Sequence, residues 1–531
     1  MADASVPVAV KEAPQHLDEP HLDIADFNSR VITAYEKGTA EKGLAADRDL
    51  ARSLVAAGTG ALRDFSYIAP EIPEFIQANC VACMECVVEC PDTAILGKVV
   101  LPGEMEQIVS GEDPEYAKHV RDQFAKTQKF WTTYEKQKKA PGYFGIFIDP
   151  TKCKGCAECV EVCGSHAALK MIKKTDENLK VFQKDWQIYK KLPETPAEFI
   201  NERLLSDMML AERSMLYVGG AGSCAGCGEA TALRMMLAAT GFVYGKENIG
   251  LVASTGCNTV YTSTYPYNPY LVPWTNSLFE NGPADAMGVR ARWDQMGWNN
   301  KRLWLIGGDG AMNDIGFQSL SRMMASGMDI KVLVLDTQVY SNTGGQASTS
   351  SYMAQETKMS VHGKALGGKQ ERRKELATIC MVHPEVFVAQ TTCAHMNHFY
   401  KAIMAANEFP GPAVVNVYTT CQPEHGVADN MAGAQAKLAV DTRAFPLLVH
   451  DPRKGDRLKE RLSLAGNPAM KDDWYKHPKT GEQIDFVHFA RSEGRFGKHF
   501  DKEGRPSETL LRSQADRLKN WHLLQELAGL R

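Results

Sequence analysis

The sequence predicts an α/β chain in which a parallel-sheet domain follows a smaller, cysteine-rich α+β domain. Three observations carry this. Eight of the 14 cysteines fall in two short runs between Glu74 and Met171. From about Met215 to Arg443, apolar strand-like segments alternate with helix-like ones, as βα units do. Several chemistry-bearing residues stand directly after those apolar runs, where open parallel sheets gather their ligands. At 531 residues the chain exceeds what one hydrophobic core usually organises, and its 44% hydrophobic content can supply more than one.

The elements divide as follows. Residues 1–72 read as an N-terminal arm or linker, with an Ala- and Leu-rich stretch around Tyr35–Leu62 expected to be helical. The cysteine-rich domain takes residues 73–175, a connector 176–214 and the parallel-sheet domain 215–443. The lysine-rich interval Lys173–Lys191 reads as a solvated connector. The extension 444–531 is polar and charged and finishes in a helix at Arg512–Leu530.

Charge narrows the function classes. Sixty basic and 64 acidic residues give a net charge of -4, without the basic field that nucleic acid or an anionic membrane demands. The N-terminus lacks a basic region followed by an apolar core, and no apolar run approaches a membrane span, so the expected location is cytoplasmic. Cytosolic thiols are held reduced, which points the cysteines to metal ligation or redox chemistry rather than disulfides.

The first run, Cys80, Cys83, Cys86 and Cys90 followed by Pro91, has the bacterial ferredoxin spacing C-x2-C-x2-C-x3-C-P. Three thiolates on a tight loop each reach one iron of a cubane, while the fourth points toward a second cluster. The second run is Cys153, Cys156, Cys159 and Cys163. Pseudo-twofold crossing gives one 4Fe-4S cluster to Cys80, Cys83, Cys86 and Cys163, and the other to Cys153, Cys156, Cys159 and Cys90. The domain is thus expected to be ferredoxin-like with two clusters. Two departures are Gly164, where proline usually follows the last cysteine, and room for an insertion from Leu101 to Ala140. Structural zinc sites usually pair two C-x2-C knuckles, and the third cysteine at the same spacing suits a cluster better.

Between Arg302 and Asn342 the sequence reads RLWLIGGDGAMNDIGFQSLSRMMASGMDIKVLVLDTQVYSN: an apolar strand, a GDG turn, a helix, and a second apolar strand ending in a polar loop. A diphosphate held through a divalent cation needs a carboxylate on the metal, glycines that let backbone approach the phosphate, and further oxygens from a neighbouring strand end. Asp309, Gly308, Gly310 and Thr337 supply them. GDG alone is ordinary turn chemistry; its distance from the second strand is what raises its meaning. Cys257 and Cys421 likewise follow apolar runs, NIGLVAST and AVVNVYTT.

GDG with DIGF downstream and then DTQVYSNTGGQAS closely resembles the pyruvate:ferredoxin oxidoreductases. So do SCAGCGE at Ser223–Glu229, STGC at Ser254–Cys257 and NSLFE at Asn276–Glu280. The resemblance runs from residue 75 to residue 440 or so. It implies that the parallel-sheet domain binds thiamine diphosphate, with Mg2+ on Asp309, Thr337 and the carbonyl of Val339. Asn342 would stand near the reactive thiazolium and aminopyrimidine as the catalytic candidate, with Gly228, Glu229 and Phe279 as pocket residues. It also implies a third 4Fe-4S cluster on Cys224, Cys227, Cys257 and Cys421. Cys380 and Cys393 remain, read as buried free thiols.

The implied reaction is oxidative decarboxylation of a 2-oxo acid, with coenzyme A as co-substrate taking the acyl group and ferredoxin or a similar acceptor taking the electrons. The reverse carboxylation is open to the same machinery. Pyruvate leads among substrates because YSNTGGQ resembles the pyruvate type. 2-Oxoglutarate, branched-chain or aryl oxo acids are alternatives, as is an electron-transfer subunit serving a nicotinamide-linked partner. The family's other half normally brings a pyrimidine-binding and coenzyme A-binding portion. Nothing matching it is found here, so an alpha-type partner subunit is expected, in a hetero-oligomer with paired copies. His425 in CQPEHGV and the pair Lys364 and Lys369 read as loop residues without a site role.

Overall fold

The computed structural model describes residues 23–45, 54–359 and 367–531. Its centre is an eight-stranded sheet. The strands among the described residues are β1 Glu71–Phe75, β2 Ile95–Val100, β3 Phe124–Ala125, β4 Tyr143–Ile148, β5 Leu169–Lys173, β6 Ile249–Ser254, β7 Trp274–Ser277, β8 Arg302–Gly308, β9 Lys331–Asp336, β10 Phe387–Thr392, β11 Ala413–Tyr418, β12 Leu448–His450, β13 Leu462–Ser463, β14 Tyr475–Lys476 and β15 Gln483–Ile484. The large sheet runs β13-β12-β10-β11-β9-β8-β6-β7. The six from β10 to β7 are parallel, and β12 and β13 add antiparallel at one edge.

Central strands read as unbroken apolar runs because both faces are covered. In β8, Trp304 and Ile306 face one core with Leu333 and Leu335 of β9. Leu303 and Leu305 face the other with Val332 and Val334. The first layer holds helices Gly228–Tyr244 and Met396–Glu408; the second holds Gly282–Gln295, Phe317–Ser326 and Leu376–Met381. Helix Gly228–Tyr244 is apolar nearly all round, as a helix packed on every side must be. Its buried Arg234 donates to Thr93 Oγ1 at 3.0 Å and to the carbonyls of Val88 and Cys90 at 3.2 and 3.1 Å, tying the sheet domain to the cysteine-rich one.

The cysteine-rich part has two small antiparallel sheets, β1-β5 and β2-β4-β3. The stretch from Leu101 to Ala140 carries helices Pro102–Val109 and Pro114–Asp122.

Two expectations need correction. The interval after Lys173 is not a solvated connector: Asp176–Lys191 is a helix whose Ile188 is buried with Val100, Val120 and Phe147, while Asp185 accepts from Tyr116 at 2.9 Å and pairs with His119. Its lysines are the outer face of an amphipathic helix. The described part of Tyr35–Leu62 is not one helix, because a turn ends at Lys37 and Gly38, in the left-handed region, starts a new direction. The extension does end in a helix, Glu508–Leu527, but its Trp521 and Leu524 are buried in the second face of the large sheet. Among the described residues no helix is long and apolar enough to cross a membrane.

Candidate active site and electron path

Cys80, Cys83 and Cys86 line one cavity together with Cys163 from the second run. Cys90 lines another with Cys153, Cys156 and Cys159. The crossing between runs arises locally. Met84 and Ala157 hold equivalent left-handed conformations immediately before helices Glu85–Val88 and Glu158–Cys163, so each loop curls its first thiols to one side and its helix sends the fourth across. Backbone N–H groups of Ala82, Ala94 and Ala168 donate to the sulfurs of Cys80, Cys90 and Cys163 at 3.4, 3.4 and 3.2 Å. Burial pushes the Cys80 thiol up to about 11 and Cys153 to about 12. Buried sulfurs with such donors fit thiolates neutralised by metal. Among the described residues no three His, Cys, Asp or Glu side chains converge closely enough to hold a single ion. The thiols ring a space instead.

A third cavity is lined by Cys224, Cys227, Cys257 and Cys421. Cys257 begins a helix after β6, and Cys421 follows β11. Cys227 precedes helix Gly228–Tyr244, whose first N–H donates to the Thr420 carbonyl at 3.1 Å. That bond draws the two loops together.

Beside it, at the carboxyl ends of β6, β8 and β9, lies a cavity lined by Glu229, Phe279, Gly308, Asp309, Gly310, Thr337, Val339 and Asn342. Asp309 is buried at the end of β8 and accepts from Thr337 N and Oγ1 at 3.3 and 3.2 Å and from Ser348 Oγ. Thr337 Oγ1 also lies 3.0 Å from the Val339 carbonyl, so three oxygen sources converge. Burial, and then the charge of Asp336, push the Asp309 carboxyl well above the ordinary range. A cation there would relieve this, which is the fit expected of a divalent metal site. A Cβ on Gly310 would strike the Tyr340 ring, so that turn requires glycine. Glu229 is buried, its carboxyl pushed up to about 8 by burial and then by Asp309, and its Oε2 has no partner among the described residues. Phe279 is half-buried at the rim and Asn342 is exposed at the mouth.

The two cavities share a wall. Glu229, Cys257, Thr337, Ser341 and Asn342 line both.

Residues set aside in the sequence prove to support this wall. His425 is buried rather than on a loop surface: its Nε2 lies 2.8 Å from the Thr337 carbonyl, and its Nδ1 is 3.4 Å from Cys421 N. Lys369 is buried as well and donates to the carbonyls of Ser348, Thr349 and Ser351, fixing the loop that approaches Asp309. Lys364 lies outside the described residues. Cys380 and Cys393 are buried, as expected. Ser348, Ser341 and Tyr261 were missed, since a serine or tyrosine outside a motif carries no spacing signal.

Residues 254–417 match the family described as thiamine pyrophosphate enzyme, C-terminal TPP binding domain. The pyruvate synthase subunit PorB of Pyrococcus furiosus is 33% identical over 304 residues, covering 55% of this chain and 89% of that one. The chain belongs to the pyruvate:ferredoxin oxidoreductase family. A thiamine-diphosphate-binding domain is therefore part of it. Within the family, the pyruvate-flavodoxin oxidoreductase of Rhodospirillum rubrum is 24% identical over 87% of this chain and 42% of its own length. The pyruvate:ferredoxin oxidoreductase of Moorella thermoacetica is 26% identical over 79% of this chain and 39% of that one. This chain thus spans about two fifths of these longer relatives, while matching nearly all of the separate PorB subunit.

Proposed function

We propose that this chain is the thiamine-diphosphate and electron-transfer subunit of a 2-oxoacid:ferredoxin oxidoreductase, acting on pyruvate and coenzyme A to give acetyl-CoA, CO2 and reduced ferredoxin. The observation that carries this reading is the shared wall: a place for the cofactor and a ring of four cysteines are separated by single residues. Such adjacency serves removal of electrons, and a non-oxidative decarboxylase would have no use for it.

When bound, thiamine diphosphate supplies the nucleophilic carbon and the electron sink for decarboxylation, and 4Fe-4S clusters supply a one-electron path. In this reading Asp309, Thr337 and the Val339 carbonyl hold Mg2+, and Gly308 and Gly310 let backbone approach the diphosphate. Asn342 orients the substrate end of the cofactor at the cavity mouth, and Gly228, Glu229 and Phe279 complete its walls. The twelve cysteines hold three clusters in the sets that line the three cavities. An alpha-type subunit with pyrimidine-binding and coenzyme A-binding domains closes the mouth, in a hetero-oligomer with paired copies; similarity to both PorB and longer single chains supports that division. Ferredoxin or a similar carrier accepts the electrons.

The test is anaerobic mixing of the purified complex with pyruvate, with and without coenzyme A, followed by electron paramagnetic resonance of the clusters and by ferredoxin reduction. Reduction that depends on both substrates supports the reading. Reduction only by another 2-oxo acid replaces pyruvate, and no reduction by any of them leaves an electron-transfer subunit.

A further inference from the structure

We propose that Tyr261 donates a hydrogen bond from its hydroxyl to a sulfur of the 4Fe-4S cluster held by Cys224, Cys227, Cys257 and Cys421, and so sets how readily that cluster accepts an electron. This rests on the reading that a cluster occupies that cavity.

Tyr261 stands four residues after Cys257 on the same short helix, so the two side chains share a face. It lines the same cavity as the four cysteines and is 3% exposed. Its hydroxyl is buried and has no hydrogen-bond partner among the described residues. A buried hydroxyl without a hydrogen bond is costly, and a cluster in this cavity would offer it an acceptor. Burial holds the phenol well above its usual range, so it remains a donor.

The other hydroxyls lining this cavity, those of Ser223, Thr337, Ser341 and Thr420, are already engaged. Ser341 Oγ pairs with Thr337 Oγ1 at 2.8 Å, and the Gln422 amide nitrogen donates to the Gly226 carbonyl. The Tyr261 backbone is pinned as well, its carbonyl accepting from Gly222 N at 2.9 Å. Tyr261 therefore presents a fixed donor toward the cysteine ring. A donor to cluster sulfur stabilises the more negative, reduced form and raises the potential.

The experiment is a redox titration of the anaerobic complex, wild type and Tyr261→Phe, followed by electron paramagnetic resonance. The cluster in question is identified as the one lost in Cys257→Ser. The expected result is a tenfold shift of its one-electron equilibrium toward the oxidised form, about 59 mV lower in midpoint, with the other two clusters unmoved. Electron–nuclear double resonance of the wild type should show an exchangeable proton coupled to this cluster, removed by D2O and absent from the variant. An unchanged midpoint at full iron content, a common shift of all three clusters, or persistence of that proton in Tyr261→Phe overturns the proposal. If the variant fails to load the cluster, the wild-type spectrum decides, and lack of an exchangeable coupling overturns it. A wild type without this cluster overturns the underlying reading instead.

Discussion

Gly228→Ala puts the assembly of the third cysteine ring to a quantitative test. A Cβ on Gly228 would lie 2.6 Å from Thr420 N and 2.9 Å from Thr420 O, both backbone atoms that no rotamer change can move aside. Ordinary contact begins at about 3.4 Å, so the two segments must part by roughly 0.8 Å, and the bond from Gly228 N to Thr420 O is lengthened with them. Those segments carry Cys227 and Cys421 one residue away on either side. Metal–ligand distances tolerate about ±0.2 Å, so the displacement is several times what a ligand set absorbs. Overpacking of this kind costs about 1–3 kcal/mol, which a protein of this size survives folded. The expected outcome is a folded chain that loses about a third of its cluster iron while both sets in the ferredoxin-like part remain. Iron and sulfide analysis after anaerobic purification, with electron paramagnetic resonance of the dithionite-reduced protein, measures it. Full iron content with three undisturbed signals would refute the reasoning.

Further outcomes follow from other sites. Asp309→Asn should weaken binding of thiamine diphosphate with Mg2+ at least hundredfold, removing about 2.7 kcal/mol of ligand stabilisation; calorimetric affinity within threefold of wild type would remove Asp309 from the metal site. Arg373→Met should destabilise by about 3–5 kcal/mol, because it leaves buried Asp336 without its cation. The double change Asp336→Asn with Arg373→Met should recover much of that in denaturant unfolding. Burial drives His395 and His398 down to about 4 from the ordinary 6.5. The unfolded chain therefore binds more protons between those values, so stability is full above pH ~6.5 and is lost as the pH falls toward 4, by roughly 3 kcal/mol per histidine. Replacing both by asparagine should flatten the acid limb of Tm against pH, and an unchanged limb would refute the assignment.

What could be read from sequence was whatever chemistry fixes by spacing. Two cysteine runs imply crossed cavities because a cubane dictates where its fourth ligand must come from, and the acid at the end of β8 is legible because the strand is an unbroken apolar run. The membership of Cys224, Cys227, Cys257 and Cys421 in one ring is different: they lie on three segments brought together by the sheet order, and resemblance alone united them. His425 and Lys369 were misjudged because polar loops look alike in sequence whether they face water or fold inward over a carbonyl. The helix Asp176–Lys191 was misjudged because its lysines dominate its composition while Ile188, Trp186 and Tyr189 do the packing.

Arg495 in the extension reaches back to Gln338, donating to its side chain at 3.1 Å across 157 residues, and Gln338 sits between Thr337 and Val339. During synthesis at about 5–20 residues per second, Arg495 leaves the ribosome roughly 8 to 30 s after the loop it braces. The loop after β9 is thus made early and braced late. A nascent chain stalled before Arg495 would present Thr337 to Val339 without the brace that Arg495 gives Gln338.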